Sequence, residues 1–365
     1  MKPSILHQTS GLSTYNGGPR SRIWQGIPGL ERTARGRVFV SWFSGGTQEP
    51  AAENTVYLCF SDNGGESFTD LLTMAEPKDG VRCFDPCLWI DPKGMLWYFF
   101  NRGARDSVEH GVYARTCAAP DAAMPEWETE TRIDFDMPFS FRMNKPTVLS
   151  TGEWVLPVTY ASEPVPGWGG FDEKQLHGVG ISKDDGKTWT LRGAIKTPTA
   201  ALESMVVQLR DGRLWMPIRS GGGVLWESHS GDGGHTWGEA NATNIANPHS
   251  RFFVRRLSSQ NLLLVNHYKF TGRSHLTAQL STDDGETWNS GLLLDERGGD
   301  SDVQGVSYPD GVEDNCGLIW IVYDRDRQGA GEILLANFRE EDVVAGNNVS
   351  GAMRLKRVIN RLGGN

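Results

Sequence analysis

Six segments of the chain share a pattern in which an apolar run, a short polar turn and a second apolar run follow one another. The first joins Ile27-Pro28-Gly29-Leu30 through Gly36 to Val38-Phe39-Val40-Ser41-Trp42. Apolar runs rich in β-branched and aromatic residues on either side of such a turn predict a β-hairpin. The six predicted hairpins cover residues 27–42, 85–99, 145–156, 203–216, 252–265 and 308–321. Their turns fall at residues 36, 94, 152, 212, 261 and 317, with a period of 49 to 60 residues, which indicates a repeat architecture.

An octet of the form Ser-x-Asp-x-Gly-x-Thr-Trp follows three of these hairpins. Complete copies lie at residues 182–189, 230–237 and 281–288. A degenerate copy at 61–68 has Asn63 in place of Asp and Phe68 in place of Trp. Asp and Gly tolerate tight turns and Ser and Thr bond to nearby backbone, so the octet is expected where a third strand turns into a fourth. After the second and sixth hairpins no octet occurs, and residues 113–116 and 334–337 read as third strands.

A four-stranded antiparallel sheet repeated six times is a six-bladed β-propeller, and one such all-β domain is expected over residues 1–365. The alternative, a long two-sheet sandwich, does not explain octets at a fixed phase after the hairpins. The 13 Trp and 44 Gly residues suit aromatic packing between sheets joined by many tight turns. The segment after Gly346 reads as a closing or loose segment.

The global charge and the cysteines narrow the function classes. A net charge of −9 argues against a nucleic-acid or anionic-membrane partner. No apolar stretch is long enough for a membrane span or a signal peptide, so a cytoplasmic location is expected. The 5 cysteines are odd in number and unpatterned, which favours reduced thiols over disulfides. No cofactor or metal ion is indicated.

Polar residues gather where the propeller would expose its axis. The innermost strand of each blade begins at the axis, so the starts of these strands share one rim. The rim residues are Gln25, Arg82, Arg142, Lys145, Glu203, Arg251, Tyr308 and Asp310, and the second strands end near Glu49, Glu53, Arg219 and Arg273. Arginine and carboxylate side chains concentrated in this way predict a polar, anionic, sugar-sized ligand.

The octets resemble the Asp boxes, or BNR repeats, of the sialidase (neuraminidase) superfamily, and residues between them extend the resemblance. Glu203-Ser204-Met205, followed by Arg219, is similar to the family's fourth blade. Arg273, eight residues before Ser281, is similar to the fifth, and Ser307-Tyr308-Pro309 is similar to the sixth. The resemblance implies a retaining glycoside hydrolase for a terminal acidic sugar on an oligosaccharide or glycoconjugate. Tyr308 would be the nucleophile, Glu203 its activating base, and Arg219 and Arg273 a carboxylate clamp.

These residue types suit that chemistry. A phenol has an ordinary pKa of about 10, so it needs a nearby base to attack near neutral pH. A neutral attacker avoids repulsion at an anomeric carbon that bears a carboxylate, and sialidases are known exceptions to the two-carboxylate rule. Arginine binds a carboxylate with two parallel hydrogen bonds, which lysine cannot do.

The chain departs from the family pattern at two positions. Gly26 precedes Ile27-Pro28 where the family has its first clamp arginine; Arg22, Arg82 and Arg142 are candidates to replace it. The acid/base, normally an aspartate before the first octet, is also missing, because residues 45–54 contain no Asp. Glu53 is the first candidate for that role and Glu49 the second. Arg82, Arg142, Gln25 and Asp310 complete the predicted substrate-binding set.

Other interpretations stay open at this point. The same propeller can serve a glycosidase or lyase for another uronic or deoxy sugar, with His249, His267 or His275 as the base. It can also bind carbohydrate without turnover. In structural terms, Tyr308 can be an aromatic that plugs the axis, and Glu203 with Arg219 a buried ion pair.

Overall fold

Six antiparallel sheets follow one another along the chain in the computed structural model, which describes residues 13–14, 22–104, 110–137, 139–141, 144–161, 174–199, 201–297 and 305–362. The sheets are arranged as the six blades of a β-propeller, so the predicted fold class is confirmed. Blade one contains β1 (Ser13–Thr14), β2 (Gln25–Arg32), β3 (Val38–Ser44), β4 (Thr55–Ser61) and β5 (Leu72–Ala75). Blade two contains β6 (Arg82–Ile90), β7 (Leu96–Gly103), β8 (Gly111–Cys117) and β9 (Thr131–Arg132). Blade three contains β10 (Phe139–Phe141), β11 (Thr147–Val148), β12 (Trp154–Ala161), β13 (Leu176–Ser182) and β14 (Thr190–Ile195).

The remaining blades follow the same order. Blade four contains β15 (Ala201–Ser204), β16 (Val207–Gln208), β17 (Leu214–Ser220), β18 (Val224–Ser230) and β19 (Asn241–Ala246). Blade five contains β20 (Phe253–Arg256), β21 (Leu262–His267), β22 (Leu276–Ser281) and β23 (Leu292–Asp295). Blade six contains β24 (Val306–Glu313), β25 (Ile319–Arg325), β26 (Glu332–Phe338) and β27 (Arg354–Arg361), with helix α1 (Glu340–Ala345) between the last two strands. The segment after Gly346 therefore supplies the fourth strand of blade six, which pairs with β26.

The backbone conformation of the hairpin turns explains why a glycine recurs once in nearly every blade. In five of the six turns the predicted glycine has a φ between 73° and 105°, a region open mainly to glycine. Each glycine amide donates a hydrogen bond to the carbonyl three residues earlier, as Gly36 does to Thr33 at 3.0 Å. The fifth turn is made by Gln260, with a φ of 72°, one residue before the predicted position.

Three innermost strands carry a β-bulge at the axis. Ile27, Asp85 and Tyr308 each precede a proline and have φ values of 58°, 48° and 54°. The strand register shifts at each of these points. A positive φ is costly for an isoleucine or a tyrosine, and a bulge re-aims the side chains beside it. The start of β24 is therefore bent where Tyr308 meets the axis, a form of local strain that clusters at functional sites.

The octets form the turns between third and fourth strands, as predicted. In the copy at 182–189, the Ser182 hydroxyl accepts a hydrogen bond from the Gly186 amide at 2.9 Å. Asp184 accepts hydrogen bonds from the amide and the hydroxyl of Thr188 at 2.9 and 2.7 Å. The indole of Trp189 donates to the Gly186 carbonyl at 3.0 Å. One aspartate thus holds both ends of the turn.

The hydrophobic core lies between blades rather than inside them. Trp89 and Trp154, from blades two and three, meet edge to face with ring centroids 4.8 Å apart. Trp42 of blade one and Trp320 of blade six belong to another cluster. Each blade is therefore held by its neighbours, and the ring of blades fixes the relative positions of the residues at the axis.

The cysteines form no disulfide bonds. Four of them, Cys59, Cys83, Cys87 and Cys117, are buried, and Cys316 is exposed. Burial raises the pKa of the Cys87 thiol to about 12, so this group is uncharged. None of the helices in the described residues has the length and apolar character that a membrane crossing requires.

Candidate active site

Tyr308 and Glu203 meet at one guanidinium nitrogen. Arg219 Nη1 donates a hydrogen bond to Glu203 Oε2 at 2.7 Å and another to the Tyr308 hydroxyl oxygen at 2.5 Å. Glu203 is 2% exposed, Arg219 4% and Tyr308 5%. The tyrosine belongs to blade six and the other two residues to blade four, so the propeller brings together side chains 89 positions apart in sequence. The two residues paired by sequence reasoning therefore lie side by side at the axis.

Among the residues that the structure describes, four arginines surround the ring of Tyr308. The guanidinium carbons of Arg327, Arg251, Arg219 and Arg273 lie 4.3, 5.3, 5.5 and 5.6 Å from the ring centroid. Such cation–π contacts stabilise the ring and leave hydrogen-bond donors at its edge. The cluster concentrates positive charge at one point of a protein whose net charge is −9, so an anion is favoured there.

Backbone carbonyls hold two of these arginines in place. Arg251 Nη2 donates to the Pro28 carbonyl at 2.7 Å, and Arg273 Nη2 donates to the His249 carbonyl at 2.8 Å. The carbonyl of Arg273 itself accepts from the Val306 amide at 2.9 Å, which ties blade five to the start of β24. The guanidinium groups are therefore preorganised around Tyr308.

The electrostatics keep the phenol neutral and the guanidinium charged. Burial raises the pKa of Tyr308, with a further contribution from the Glu203 carboxylate, and Arg219, Arg273 and Arg327 only partly oppose this. Burial disfavours the charge of Arg219, but the Glu203 carboxylate and Tyr308 outweigh it and raise the pKa of that guanidinium. A neutral Tyr308 needs a base in order to attack, and Glu203 is the carboxylate that shares its hydrogen-bond donor.

The loop before the first octet directs Glu49, rather than Glu53, at the arginine cluster. Glu49 Oε1 lies 4.0 Å from Arg82 Nη1, and Glu49 Oε2 lies 3.8 Å from Arg327 Nη1. Glu53 is exposed. Asn54 closes the loop by donating to the Gly45 carbonyl at 2.7 Å. Of the two glutamates named for the acid/base role, Glu49 is therefore the one whose carboxylate lies beside the positive charge of the cluster.

Two predicted rim residues make their polar contacts within the fold. Gln25 is fully buried, donates to the Gly331 carbonyl at 2.5 Å, and accepts from the Trp42 indole at 3.1 Å. Asp310 Oδ2 accepts from the Leu30 amide at 2.7 Å and lies 3.5 Å from Lys145 Nζ. A buried carboxylate requires such partners. Both side chains therefore join blades to one another, and their role in substrate binding stays a prediction.

Of the other predicted residues, Arg82 lies beside the site and Arg22 lies away from it. Arg82 is buried beside the site, donates to Asn54 Oδ1 at 3.0 Å, and stacks on Phe84 with 3.8 Å to the ring centroid. Arg22 donates to Gln25 and to Asn360, away from the arginine cluster. Arg142 lies outside the described residues.

Sequence reasoning missed Arg327 and His177. Arg327 follows the end of β25 by two residues and therefore lies in a loop outside the repeating strands. His177 is fully buried, and burial lowers the pKa of its imidazole to about 4, although the charge of Glu203 opposes this. His267, by contrast, is bonded through Nδ1 to the Ser274 carbonyl at 2.7 Å. The histidine that interacts with Glu203 is thus in blade three, outside the group in blade five.

Comparisons with known proteins identify the family to which the chain belongs. A family model described as "BNR repeat-like domain" matches residues 36–321. The chain belongs to that family. This BNR repeat-like protein is 31% identical over 131 residues to a sialidase of Bacteroides fragilis (strain YCH46). That match covers 33% of this chain and 24% of the relative, so it spans about a quarter of the relative's length.

Solved structures show the same fold at low sequence identity. The Hadza microbial sialidase superposes with a TM-score of 0.71 at 18% identity, over 88% of this chain and 67% of that one. The intramolecular trans-sialidase of Ruminococcus gnavus gives a TM-score of 0.66 at 14% identity, over 90% and 97% of the two chains. The predicted place in the sialidase and BNR superfamily is confirmed.

Proposed function

We propose that this BNR repeat-like protein is a sialidase-like glycoside hydrolase that removes a terminal acidic sugar with retention of configuration. The observation that carries the proposal is the Arg219 nitrogen shared by Glu203 and Tyr308, inside a ring of four arginines. The sialidase match and the sialidase and trans-sialidase structural neighbours support it.

The first half of the reaction forms a bond to the tyrosine. Glu203 takes the phenolic proton as the Tyr308 oxygen attacks the anomeric carbon, and the bond from that carbon to the leaving oxygen breaks. Glu49 gives the leaving oxygen its proton. Arg219 Nη1 donates hydrogen bonds to both Glu203 and Tyr308. A substrate carboxylate that binds this guanidinium draws it aside and lets the two oxygens meet directly.

The second half regenerates the enzyme. Water attacks the anomeric carbon and gives a proton to Glu49, and the tyrosine oxygen leaves and recovers its proton from Glu203. Two displacements at one carbon retain its configuration. No step calls for a metal ion.

The arginine ring sets the substrate class. Arg219 and Arg273 belong to different blades and face the same phenol. Arginine's planar fork is suited to a carboxylate, so the ring favours an anionic sugar over a neutral one.

A screen of aryl sialosides, uronides and rhamnosides against wild type and Tyr308→Phe tests the proposal. The substitution keeps the aromatic ring among the arginines and removes only the hydroxyl. We expect sialoside hydrolysis by wild type and its loss in Tyr308→Phe. Tyr98→Phe is the matched control, because Tyr98 donates to the Tyr57 carbonyl at 3.0 Å in the core between blades one and two.

The control separates chemistry from folding, since each variant loses one buried hydroxyl. Tyr98→Phe should lower stability by about 1 kcal/mol and keep its activity. Turnover by Tyr308→Phe at the wild-type rate contradicts the nucleophile assignment. Binding of sialosides by wild type without product identifies a carbohydrate-binding propeller instead.

A further inference from the structure

Gly26 has no side chain, and the side chain of Arg327 fills the space next to it. Gly26 stands where the sialidase pattern has arginine. A Cβ added to Gly26 would lie 2.9 Å from Arg327 Nε, 3.0 Å from its Cδ and 3.1 Å from its Cγ. The 2.9 Å contact is closer than real Cβ atoms come and the other two are tight, so a side chain at residue 26 fits only if Arg327 moves.

Arg327 is fixed there by hydrogen bonds. Its Nε and Nη2 lie 3.1 and 2.9 Å from Asp324 Oδ2, and Nη2 also donates to the Ser307 hydroxyl at 3.1 Å. Asp324 Oδ2 accepts from the Ile27 amide at 2.7 Å as well. The Asp324 carboxylate therefore binds both Arg327 and the strand segment that contains Gly26.

One edge of this guanidinium is turned toward the site. Among the contacts of the described residues, Nη1 has the 3.8 Å ion pair with Glu49 and no hydrogen bond. The guanidinium carbon is 4.3 Å from the Tyr308 ring centroid, nearer than that of Arg219 or Arg273. A buried cation with an unused donor edge beside the nucleophile candidate is suited to bind an anionic group of the substrate.

We propose that Arg327, delivered from the end of β25 in blade six, replaces the arginine missing at residue 26 and is the third contact to the substrate carboxylate. The inference rests on the proposed function. The site then keeps three clamp arginines, one of which comes from a different strand and blade than the family pattern predicts. Glycine at residue 26 is needed for this arrangement, since the absence of a side chain there leaves room for the Arg327 side chain.

A binding experiment that does not need turnover tests this inference. Free sialic acid and its methyl ester are titrated calorimetrically into wild type, Arg327→Ala, Gly26→Arg and the Gly26→Arg/Arg327→Ala double variant. We expect wild type to prefer the acid. Arg327→Ala should bind the acid roughly 10- to 100-fold more weakly, the range for loss of one charged hydrogen-bond partner, with little change for the ester.

The double variant is the decisive arm. Gly26→Arg alone should bind poorly, because its Cβ collides with Arg327. The double variant removes the collision and restores an arginine at the family position, so it should recover at least about tenfold in affinity for the acid relative to Arg327→Ala. Arg325→Ala is the matched control, since Arg325 pairs with Glu332 and Asp295 instead.

The outcomes separate the inference from the proposed function. If wild type binds the acid and the ester equally, or neither, the acidic-sugar function fails and the inference falls with it. If wild type prefers the acid but Arg327→Ala binds it as tightly as Arg325→Ala does, only the inference is overturned. Should Arg327→Ala fail to fold, Arg327→Lys takes its place. Weaker binding of the acid then supports the inference, and unchanged binding overturns it.

Discussion

Breaking the Glu203–Arg219 pair is the perturbation with the largest expected effect on stability. The two groups are 2.7 Å apart, and their side chains are only 3% and 4% exposed. Removing one partner of a buried ion pair leaves an uncompensated charge and costs about 3–5 kcal/mol. Arg219→Met adds the loss of the donor to Tyr308, whereas Glu203→Gln keeps the shape and removes only the charge. We expect each single variant to lose about 3–5 kcal/mol of unfolding free energy.

The double variant Glu203→Gln/Arg219→Met should lose less than the sum of the two, by roughly 2 kcal/mol or more, because no unpaired charge is left in it. The assay is equilibrium urea denaturation, which leaves electrostatic interactions unscreened because urea is uncharged. All three variants should lose hydrolysis, since each lacks the base, the clamp arginine or both. Losses that add to within about 0.5 kcal/mol would refute the reasoning, because they would show two independent groups.

Two further predictions concern pH and the octets. The folded state holds the pKa of His177 at about 4, well below its ordinary 6.5; the unfolded chain therefore binds the proton more readily, and stability should fall by roughly 3 kcal/mol as pH drops from 6.5 to 4. Urea midpoints measured across that window check this, and His177→Gln should flatten the slope; an equal slope in the variant contradicts it. Hydrogen bonds from Thr287 lower the pKa of Asp283 to about 2, so its contribution is present above its ordinary pKa and disappears as pH falls toward 2. By thermal melting at neutral pH, Asp283→Asn should lower the Tm and Asn63→Asp, which restores the degenerate octet, should raise it; shifts of the opposite sign contradict the role of the carboxylate.

The fold was predictable because its determinants are local. A turn that needs positive φ selects glycine, and it does so in five of the six hairpins. The fifth turn shows the limit of the rule: Gln260 adopts a φ of 72° without being glycine, so the turn was placed one residue late. The octets were equally predictable, since the hydrogen bonds that form the turn join residues at most four positions apart, as in the copy at 182–189.

The candidate site was predictable only where it lies on the repeating strands. Glu203 and Tyr308 each lie on the first strand of a blade and Arg219 lies near the end of a second strand, so the repeat brings all three to one rim. The contacts of Asp310 were not predictable in this way, because the strand register shifts at Tyr308 and the carboxylate lies beside Lys145.

The side-chain positions of loop residues do not follow from the repeat period. Glu49 was ranked below Glu53 because distance from the octet does not show which side chain turns inward. The place of Arg327 depends on the volume left by Gly26, a residue 301 positions away in the chain, and no local pattern records it.

The central claim is that Tyr308 attacks the anomeric carbon, and trapping the glycosyl enzyme tests it most directly. An acidic glycosyl fluoride with a second fluorine beside the anomeric carbon reacts with the nucleophile but slows the water step, because the fluorine destabilises the oxocarbenium-like transition state. Peptide mass spectrometry of the treated protein should locate the sugar on Tyr308, and Tyr308→Phe should carry no label. A label on Glu203, or released product of inverted configuration with no label at all, would contradict the account.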